Sequence, residues 1–181
     1  MLLRFDSLND LDFPRLMEIY RESNTENISY FYPDCTDEEA GRKQVEERFR
    51  AYLKDDFFAK PGNRYYVFEK DGVWLSAVRL FPVPENPGVY YAEALETRPD
   101  RRREGNAAAL FRLLFEELSG SGDFEISDSV SKTNTASLRM HLSCGFRIHQ
   151  ENSICILNGY ENPNAYGLVY SHKGKSGGHL A

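Results

Sequence analysis

The sequence predicts an α/β fold (α+β by some definitions), with a mixed, mostly antiparallel central sheet and helices on both faces. Three observations predict it: hairpin-linked strands in the first half, one strand–helix–strand crossover, and a further helix followed by closing strands. A chain of 181 residues is long enough for one domain with a full core. We therefore expect a single domain over residues 1–170.

Two helices are expected near the beginning of the chain, after a short strand over Leu2–Phe5. Asp12 begins the first helix, whose apolar face carries Phe13, Leu16, Met17 and Tyr20. Thr36 and Glu39 have the spacing of a capping box and predict the start of the second helix. Its inward face is expected to contain Val45, Phe49, Tyr52 and Leu53.

The middle of the chain predicts the crossover. Residues 64–69 and 73–81 are rich in strand-forming side chains, and Asp71-Gly72 between them is a hairpin signal. A proline-rich loop precedes a third strand over Val89–Thr97. Apolar residues then recur at helical spacing from Ala107 to Leu118, and Gly120 ends this helix.

The last third predicts a strand over residues 124–130, a helix over residues 133–144, and final strands over residues 146–150, 153–157 and 166–170. From Ser171 the chain is rich in glycine and lysine, which favours a flexible C-terminal tail over residues 171–181.

Composition excludes several classes of function. The net charge of −6 argues against a nucleic acid or an anionic membrane as partner, because both require a basic surface. No apolar run approaches the roughly 20 residues of a membrane span, and Met1 leads into a segment too polar for a signal peptide. Cys35, Cys144 and Cys155 form no C-x-x-C pair. We therefore expect free thiols in the cytoplasm.

An arginine- and glycine-rich turn separates the strand over Val89–Thr97 from the helix that follows it. A helix N-terminus presents unpaired N–H groups and the positive end of the helix dipole, so this turn is a candidate anion site. Gly105 permits close approach of a ligand, and nearby arginines add charge-assisted hydrogen bonds. A solvated turn without a ligand is the alternative. The pattern is neither a Walker loop nor a dinucleotide fingerprint.

A polar stripe marks the second crossover helix. Asn134, Ser137, Leu138 and His141 share one face at helical spacing, and this face is expected to meet either water or a ligand cleft. Cys144 follows His141 by three residues, but a thiol at a helix C-terminus is not activated, which argues against a thiol enzyme. The four histidines show no metal-ligand spacing, so no metal is expected.

Together these two segments resemble the hallmark motifs of the GNAT superfamily of acyl-CoA-dependent N-acyltransferases. Arg102, Gly105 and Ala107 match an Arg/Gln-x-x-Gly-x-Gly/Ala signature. Asn134 and Ser137 match an Asn-x-x-Ser/Ala helix that ends in Gly-Phe, here Gly145-Phe146. The resemblance covers roughly residues 64–150.

The resemblance implies acetyl-CoA as acyl donor. The backbone amides of the turn would bind the pyrophosphate, with Arg102 as the signature residue; the amides are those of Arg103, Glu104, Gly105, Asn106, Ala107 and Ala108. The strand segment Leu95, Glu96 and Thr97 would pair with the pantetheine arm, and the thioester would lie where this strand parts from the next. Asn134 and Ser137 would line the pantetheine or adenosine side.

Catalytic roles follow from the same resemblance. Strand alternation places Glu93 and Glu96 on opposite faces, so at most one of them points into the cleft, and a bulge would exchange the two. Glu93 is the first candidate for the base that deprotonates the amine, and Glu96 is the second. The family often has a tyrosine acid where this chain has His141, so His141 is either a substitute acid or a group that only orients the donor.

The acceptor is expected to be an amine on a small molecule or a peptide, and the acidic net charge favours a small cationic one. The aromatic segment Tyr30-Phe31-Tyr32, between the first two helices, either borders the acceptor pocket or anchors a loop. The alternative to an enzyme is a non-catalytic acyl-CoA sensor. Dimers are common among similar proteins.

Overall fold

A computed structural model describes residues 1–174 of the chain. The helices are α1 (Phe13–Glu26), α2 (Ile28–Phe31), α3 (Glu38–Tyr52), α4 (Asn106–Ser119) and α5 (Thr135–Ser143). The strands are β1 (Leu2–Phe5), β2 (Arg64–Lys70), β3 (Val73–Pro82), β4 (Val89–Thr97), β5 (Phe124–Ser131), β6 (Arg147–Gln150), β7 (Ser153–Ile154), β8 (Glu161–Asn162) and β9 (Ala165–His172). A π-helical turn over Leu53–Phe57 extends α3, and a 3₁₀ turn spans Pro99–Arg101.

Seven strands form one sheet in the order β1-β2-β3-β4-β5-β9-β6, and β7 pairs with β8 in a separate hairpin. β4 and β5 pair in parallel over Val89–Tyr91 on β4, while the β5–β9 and β6–β9 pairs are antiparallel. The sheet is therefore mixed and mostly antiparallel, as the sequence predicts. Within residues 1–174 no helix is long and apolar enough to cross a membrane.

The chain divides into two compact units, and β4 and α4 contribute residues to both. The first unit comprises Met1–Leu80 and Ala94–Leu110. Its core is built by apolar side chains of α1, of the α3 extension and of β2 and β3, including Leu16, Ile19, Leu53, Tyr65 and Leu75. Asp12 caps α1 as expected, because its Oδ1 accepts a hydrogen bond from the Arg15 amide at 3.2 Å.

Two predictions in the first unit are wrong. The N-cap of α3 is Asp37, whose Oδ1 accepts from the Ala40 amide at 3.1 Å, so the Thr36–Glu39 capping box does not form. An aspartate caps a helix as well as a threonine does, and Asp37 lies one residue closer to the helix than Thr36. The Asp37 carboxylate therefore accepts the hydrogen bond from the unpaired Ala40 N–H at the beginning of the helix. Residues 28–31 form the short helix α2 where the sequence predicts only a loop around Tyr30.

The second unit comprises Phe81–Glu93 and the chain from Phe111 onward. Alternate β5 residues are buried against α4 and α5 side chains; the buried set includes Phe111, Leu114, Phe124, Ile126, Val130 and Phe146. The predicted strand over residues 153–157 is only Ser153–Ile154, because the chain turns back after Cys155 to pair β7 with β8. Ser171 and His172, predicted to begin the tail, belong to β9. Residues 175–181 of the predicted tail lie outside the described residues.

Candidate active site

The turn before α4 has the geometry of an anion-binding backbone. Arg103 and Gly105 both have positive φ, +66° and +79°, a left-handed conformation that occurs in anion-binding backbone turns. Within residues 1–174, the backbone N–H groups of residues 103–108 have no protein acceptor; the first bond of α4 runs from the Ala109 amide to the Gly105 carbonyl, at 2.9 Å. A Cβ at Gly105 would meet no atom within 4 Å, so the space above the turn is open.

The side chains around this turn support its shape. The Asn106 amide group donates to the Arg101 carbonyl at 2.8 Å and closes the loop from inside. Arg101 pairs with Glu104 at 3.0 Å, so the Glu104 side chain is turned to an arginine of its own turn. Ala107 and Ala108, half-buried, add no bulk at the beginning of the helix.

The arginines near the turn differ in their partners. Arg98 pairs with Glu18 and with Asp100, and Arg102 pairs with Glu22 at 2.5 Å. Arg103 is exposed and has no carboxylate partner among residues 1–174. Among Arg98, Arg101, Arg102 and Arg103, the guanidinium of Arg103 is therefore the one available to bind an anionic ligand.

Glu96 lies at the acidic face of α1 within the first unit. Its side chain is 28% exposed, and its Oε2 is 4.0 Å from Nη2 of Arg102. Burial raises the pKa of Glu96 above its ordinary value, against the lowering effect of Arg102, and the negative charges of Glu22 and Glu26 raise it further. A carboxyl with a raised pKa is a stronger base than an ordinary glutamate.

A backbone irregularity precedes Glu96 on β4. Ala94 has a φ of +54°, which breaks the extended alternation between Glu93 and Glu96. A left-handed conformation costs an alanine roughly 1–2 kcal/mol. The strain is offset by a hydrogen bond from the Tyr20 hydroxyl to the Ala94 carbonyl at 2.6 Å, and the Tyr20 hydroxyl in turn accepts from the Tyr65 hydroxyl at 2.7 Å.

The other predicted residues of β4 have defined surroundings. Glu93 is half-buried in the second unit and near Tyr91, whose pKa is raised mainly by burial and also by Glu93. Thr97 Oγ1 lies 2.8 Å from Ser76 Oγ, so this hydroxyl is engaged with β3. The Leu95 side chain is half-buried. The expected pairing of Leu95, Glu96 and Thr97 with a pantetheine arm remains a prediction.

His141 and Asp128 form a buried pair in the second unit. His141 Nε2 is 3.0 Å from Asp128 Oδ2, and the two side chains are 1% and 8% exposed. His141 Nδ1 lies 2.8 Å from the Ser137 carbonyl, and Asp128 Oδ1 accepts from the Ser129 amide at 2.6 Å. Burial lowers the pKa of His141, but the hydrogen bond and charge of Asp128 and the Ser137 carbonyl raise it, and the net pKa lies above the ordinary value.

This geometry bears on the prediction that His141 either donates a proton to a departing thiolate or only orients the donor, and that role remains a prediction. Both ring nitrogens face acceptors, the Ser137 carbonyl and the Asp128 carboxylate, so both N–H groups are already engaged. Phe111 and Phe146 enclose the ring at centroid distances of 5.2 and 5.1 Å. The polar stripe at this position meets an internal carboxylate, neither water nor a ligand cleft.

Asn134 and Ser137 have structural roles at the beginning of α5. Asn134 is the N-cap, and its Oδ1 accepts from the Ser137 amide at 3.0 Å. The predicted helix over residues 133–144 is accordingly shorter, Thr135–Ser143. The predicted contact of these two residues with the donor remains a prediction.

Asp128 is the residue that sequence reasoning missed. Phe124, Ile126, Asp128 and Val130 share the buried face of β5, so an aspartate stands at an apolar position of a strand. That break in alternation was the available signal, because a carboxylate at a core position requires a buried partner.

The cysteine and metal-ligand side chains give little support for a thiol enzyme or a metal site. The pKa of the Cys144 thiol is raised by burial, and its Sγ lies 3.7 Å from Met140 Sδ, so a thiolate is disfavoured. Within residues 1–174, no group of three or more His, Cys, Asp or Glu side chains is placed to hold a metal ion.

The predicted aromatic segment is partly exposed. Tyr30 is 78% exposed, while Phe31 packs under the Arg48 guanidinium at 4.7 Å. The Tyr32 hydroxyl contacts the Gln44 carbonyl of α3 at 3.3 Å. Phe31 and Tyr32 therefore fix this segment on α3, and Tyr30 is left at the surface.

Solved acetyltransferases have the same fold. A PaiA N-acetyltransferase from Thermoplasma acidophilum, in complex with coenzyme A, matches with a TM-score of 0.63 and 12% identity over 95% of this chain and 99% of its own. A ribosomal-protein-alanine N-acetyltransferase from Escherichia coli matches with a TM-score of 0.60 and 18% identity over 100% and 99%. The spermidine N-acetyltransferase SpeG from Vibrio cholerae, as a mutant, matches with a TM-score of 0.58 and 15% identity over 94% and 92%.

These similarities, below 25% identity, show the fold alone, and no curated protein matches the sequence significantly. The model of the acetyltransferase (GNAT) family matches residues 13–146, which include α1, the β4–α4 turn and α5. That match covers most of the chain and contains both sequence motifs. The chain belongs to the GNAT family of acetyltransferases.

Proposed function

We propose that this protein transfers an acetyl group from acetyl-CoA to a primary amine, by direct attack of the amine while both substrates are bound. The observation that carries the proposal is the turn over residues 103–108, whose N–H groups have no protein acceptor among the described residues. Membership of the acetyltransferase family supports it. The coenzyme A present in the Thermoplasma acidophilum structure is consistent with the same donor.

The turn fits the diphosphate of coenzyme A. Free amides at a helix N-terminus bind phosphate oxygens, and Arg103 adds a cation without a carboxylate partner in the described chain. Gly105 meets the steric requirement, since its φ of +79° disfavours a side chain and the space beside it is open. Bound there, acetyl-CoA would supply the activated acetyl group.

Glu96 is the proposed base. An alkylammonium has a pKa near 10 and must lose a proton before it attacks a thioester. The Glu96 carboxylate would accept that proton, directly or through water, and its raised pKa favours this role. Tyr20 fixes the Ala94 carbonyl two residues before Glu96, which holds the base on a rigid strand.

A small cationic amine is the proposed acceptor class. Glu22 and Glu26 on α1 add negative charge near Glu96, and the whole chain has a net charge of −6. Peptide amines belong in the same test, because similar structures include a ribosomal-protein-alanine acetyltransferase as well as one for spermidine. All three cysteines are free, which supports a reducing compartment such as the cytoplasm.

The decisive experiment is an amine panel assayed by release of free coenzyme A from acetyl-CoA, with mass spectrometry of the product. The panel contains polyamines, aminoglycosides, amino acids and peptides with a free N-terminus. We expect calorimetric binding of acetyl-CoA and turnover with at least one cationic amine. Tight donor binding without turnover of any amine would instead favour a non-catalytic sensor. That alternative has one observation in its favour, which is that His141 has both ring nitrogens engaged.

A further inference from the structure

Arg102 lies between two carboxylates that come from different elements of the first unit. Its Nη1 is 2.5 Å from Glu22 Oε2 on α1, and its Nη2 is 4.0 Å from Glu96 Oε2 on β4. Each terminal nitrogen of the planar guanidinium therefore faces one carboxylate. The signature arginine of the turn is thus directed at the acceptor side of the proposed chemistry.

The charge around Glu96 explains why a cation is needed there. On α1, Glu22 and Glu26 add negative charge near Glu96, while Ser23 and the Tyr20 hydroxyl are its neutral neighbours. From the turn, Arg102 contributes a positive charge. Without Arg102, Glu96 would face two like charges at a half-buried position. Like charges at short range raise the pKa of a carboxyl, so the loss of Arg102 would favour the protonated form of Glu96.

The neighbouring arginine provides a contrast. Arg103 follows directly in sequence but has a φ of +66°, is exposed, and has no carboxylate partner within the described chain. The reversal of the backbone at Arg103 therefore separates two adjacent cations, one paired with glutamates and one available to an anion.

We propose that Arg102 is a positioning residue for Glu96: its guanidinium holds the β4 carboxylate beside Glu22 and keeps it ionised, while Arg103 and the backbone amides serve the donor. The assignment rests on the proposed function, in which Glu96 is the base. It moves Arg102 from the donor site, where sequence similarity places it, to the acceptor side.

The first test is the titration of Glu96 by NMR with ¹³C-labelled glutamate, in which the Glu96→Gln variant identifies the signal. We expect Arg102→Gln to move the Glu96 titration to higher pH, because a cation is lost, and Arg102→Lys to restore most of the shift. Glu22→Gln should move it to lower pH, because a like charge is lost. A purely structural role for Arg102 predicts no such pair of opposite shifts, and an unchanged titration in Arg102→Gln would overturn the proposal.

The second test is calorimetry of coenzyme A with two matched variants. Arg103→Gln should weaken binding by about two- to fivefold, the range for one partly exposed ionic contact. Arg102→Gln should leave the dissociation constant within about twofold of the parent. A greater loss in Arg102→Gln than in Arg103→Gln would assign Arg102 to the phosphates and refute the proposal.

Failure of this inference is distinguishable from failure of the proposed function. The titration and the calorimetry require no turnover, so they report on Arg102 even if no amine is acetylated. Where an amine is turned over, the acidic limb of kcat/KM should move to higher pH in Arg102→Gln and to lower pH in Glu22→Gln.

Discussion

His141 Nε2 lies 3.0 Å from Asp128 Oδ2, and this contact joins α5 to a strand whose buried face is otherwise apolar. The other oxygen of Asp128 accepts from the Ser129 amide, and the other nitrogen of His141 faces the Ser137 carbonyl. Every polar atom of the pair therefore has a partner, which is the condition under which buried charge is tolerated.

We expect Asp128→Asn to destabilise the protein by about 3 kcal/mol, because removing one member of a buried pair leaves the other charge without compensation. Urea unfolding of the parent and the variant measures the difference. Asp123→Asn is the control, since Asp123 pairs with Lys173 at the surface and should change the free energy of unfolding little. Equal effects of the two substitutions would show that the buried pair contributes nothing special.

The same pair predicts a pH dependence of stability. The pKa of His141 is raised in the folded protein, so the folded protein binds the imidazole proton more tightly than the unfolded chain does. The stabilisation is fully present below the unfolded pKa of about 6.5 and is lost as pH rises through the folded pKa. Free energies of unfolding between pH 6 and pH 9 should therefore fall more steeply in the parent than in His141→Gln. Parallel curves would contradict this sign.

Gly105→Trp should abolish binding of acetyl-CoA, because the indole would fill the open space beside the turn and the positive φ excludes a relaxed side chain. Gly72→Trp is a matched control. Gly72 has a φ of +75° and equally open surroundings, but it lies in the β2–β3 hairpin. Calorimetry should show loss of binding only in Gly105→Trp. If Gly105→Trp bound acetyl-CoA with the affinity of the parent, the turn would not be the donor-binding site.

Glu96→Gln should lower kcat/KM for the amine by about 100-fold or more, the lower bound for loss of a general base. The base acts when it is ionised, so activity rises with pH through the pKa of Glu96, which burial raises above its ordinary value. That limb should disappear in Glu96→Gln. Glu93→Gln is the comparison, and a larger loss there would assign the base to Glu93, the first choice from sequence.

Tyr20→Phe should cost about 1–3 kcal/mol of stability, because it leaves both the Ala94 carbonyl and the Tyr65 hydroxyl without this partner. Tyr30→Phe removes the same atom from a residue that is 78% exposed and should be nearly neutral. Thermal unfolding of both variants checks the difference. If the β4 irregularity positions Glu96, Tyr20→Phe should also reduce kcat more than it changes KM for acetyl-CoA.

Local chemistry explains which elements could be predicted. The bounds of β4, the Asp71-Gly72 hairpin and the Asp12 cap follow from residues adjacent in sequence, and the structure has all three. Predictions failed where two local signals competed, as at Thr36 and Asp37, or where pairing with a later segment decided the outcome. The short β7 and the extension of β9 through His172 are of the second kind.

The sequence by itself determined the order of the main strands and helices, though not the short α2 and β8, together with the family and the turn at Gly105. Each of these depends on spacing along a short stretch of chain. Only the tertiary structure decided the partners of the charged groups. Arg102 meets Glu22 and Glu96, and His141 meets Asp128, through elements that are distant in sequence. The physical reason is that one arginine or histidine can pair with any carboxylate that the fold brings within about 4 Å, and no local pattern specifies which.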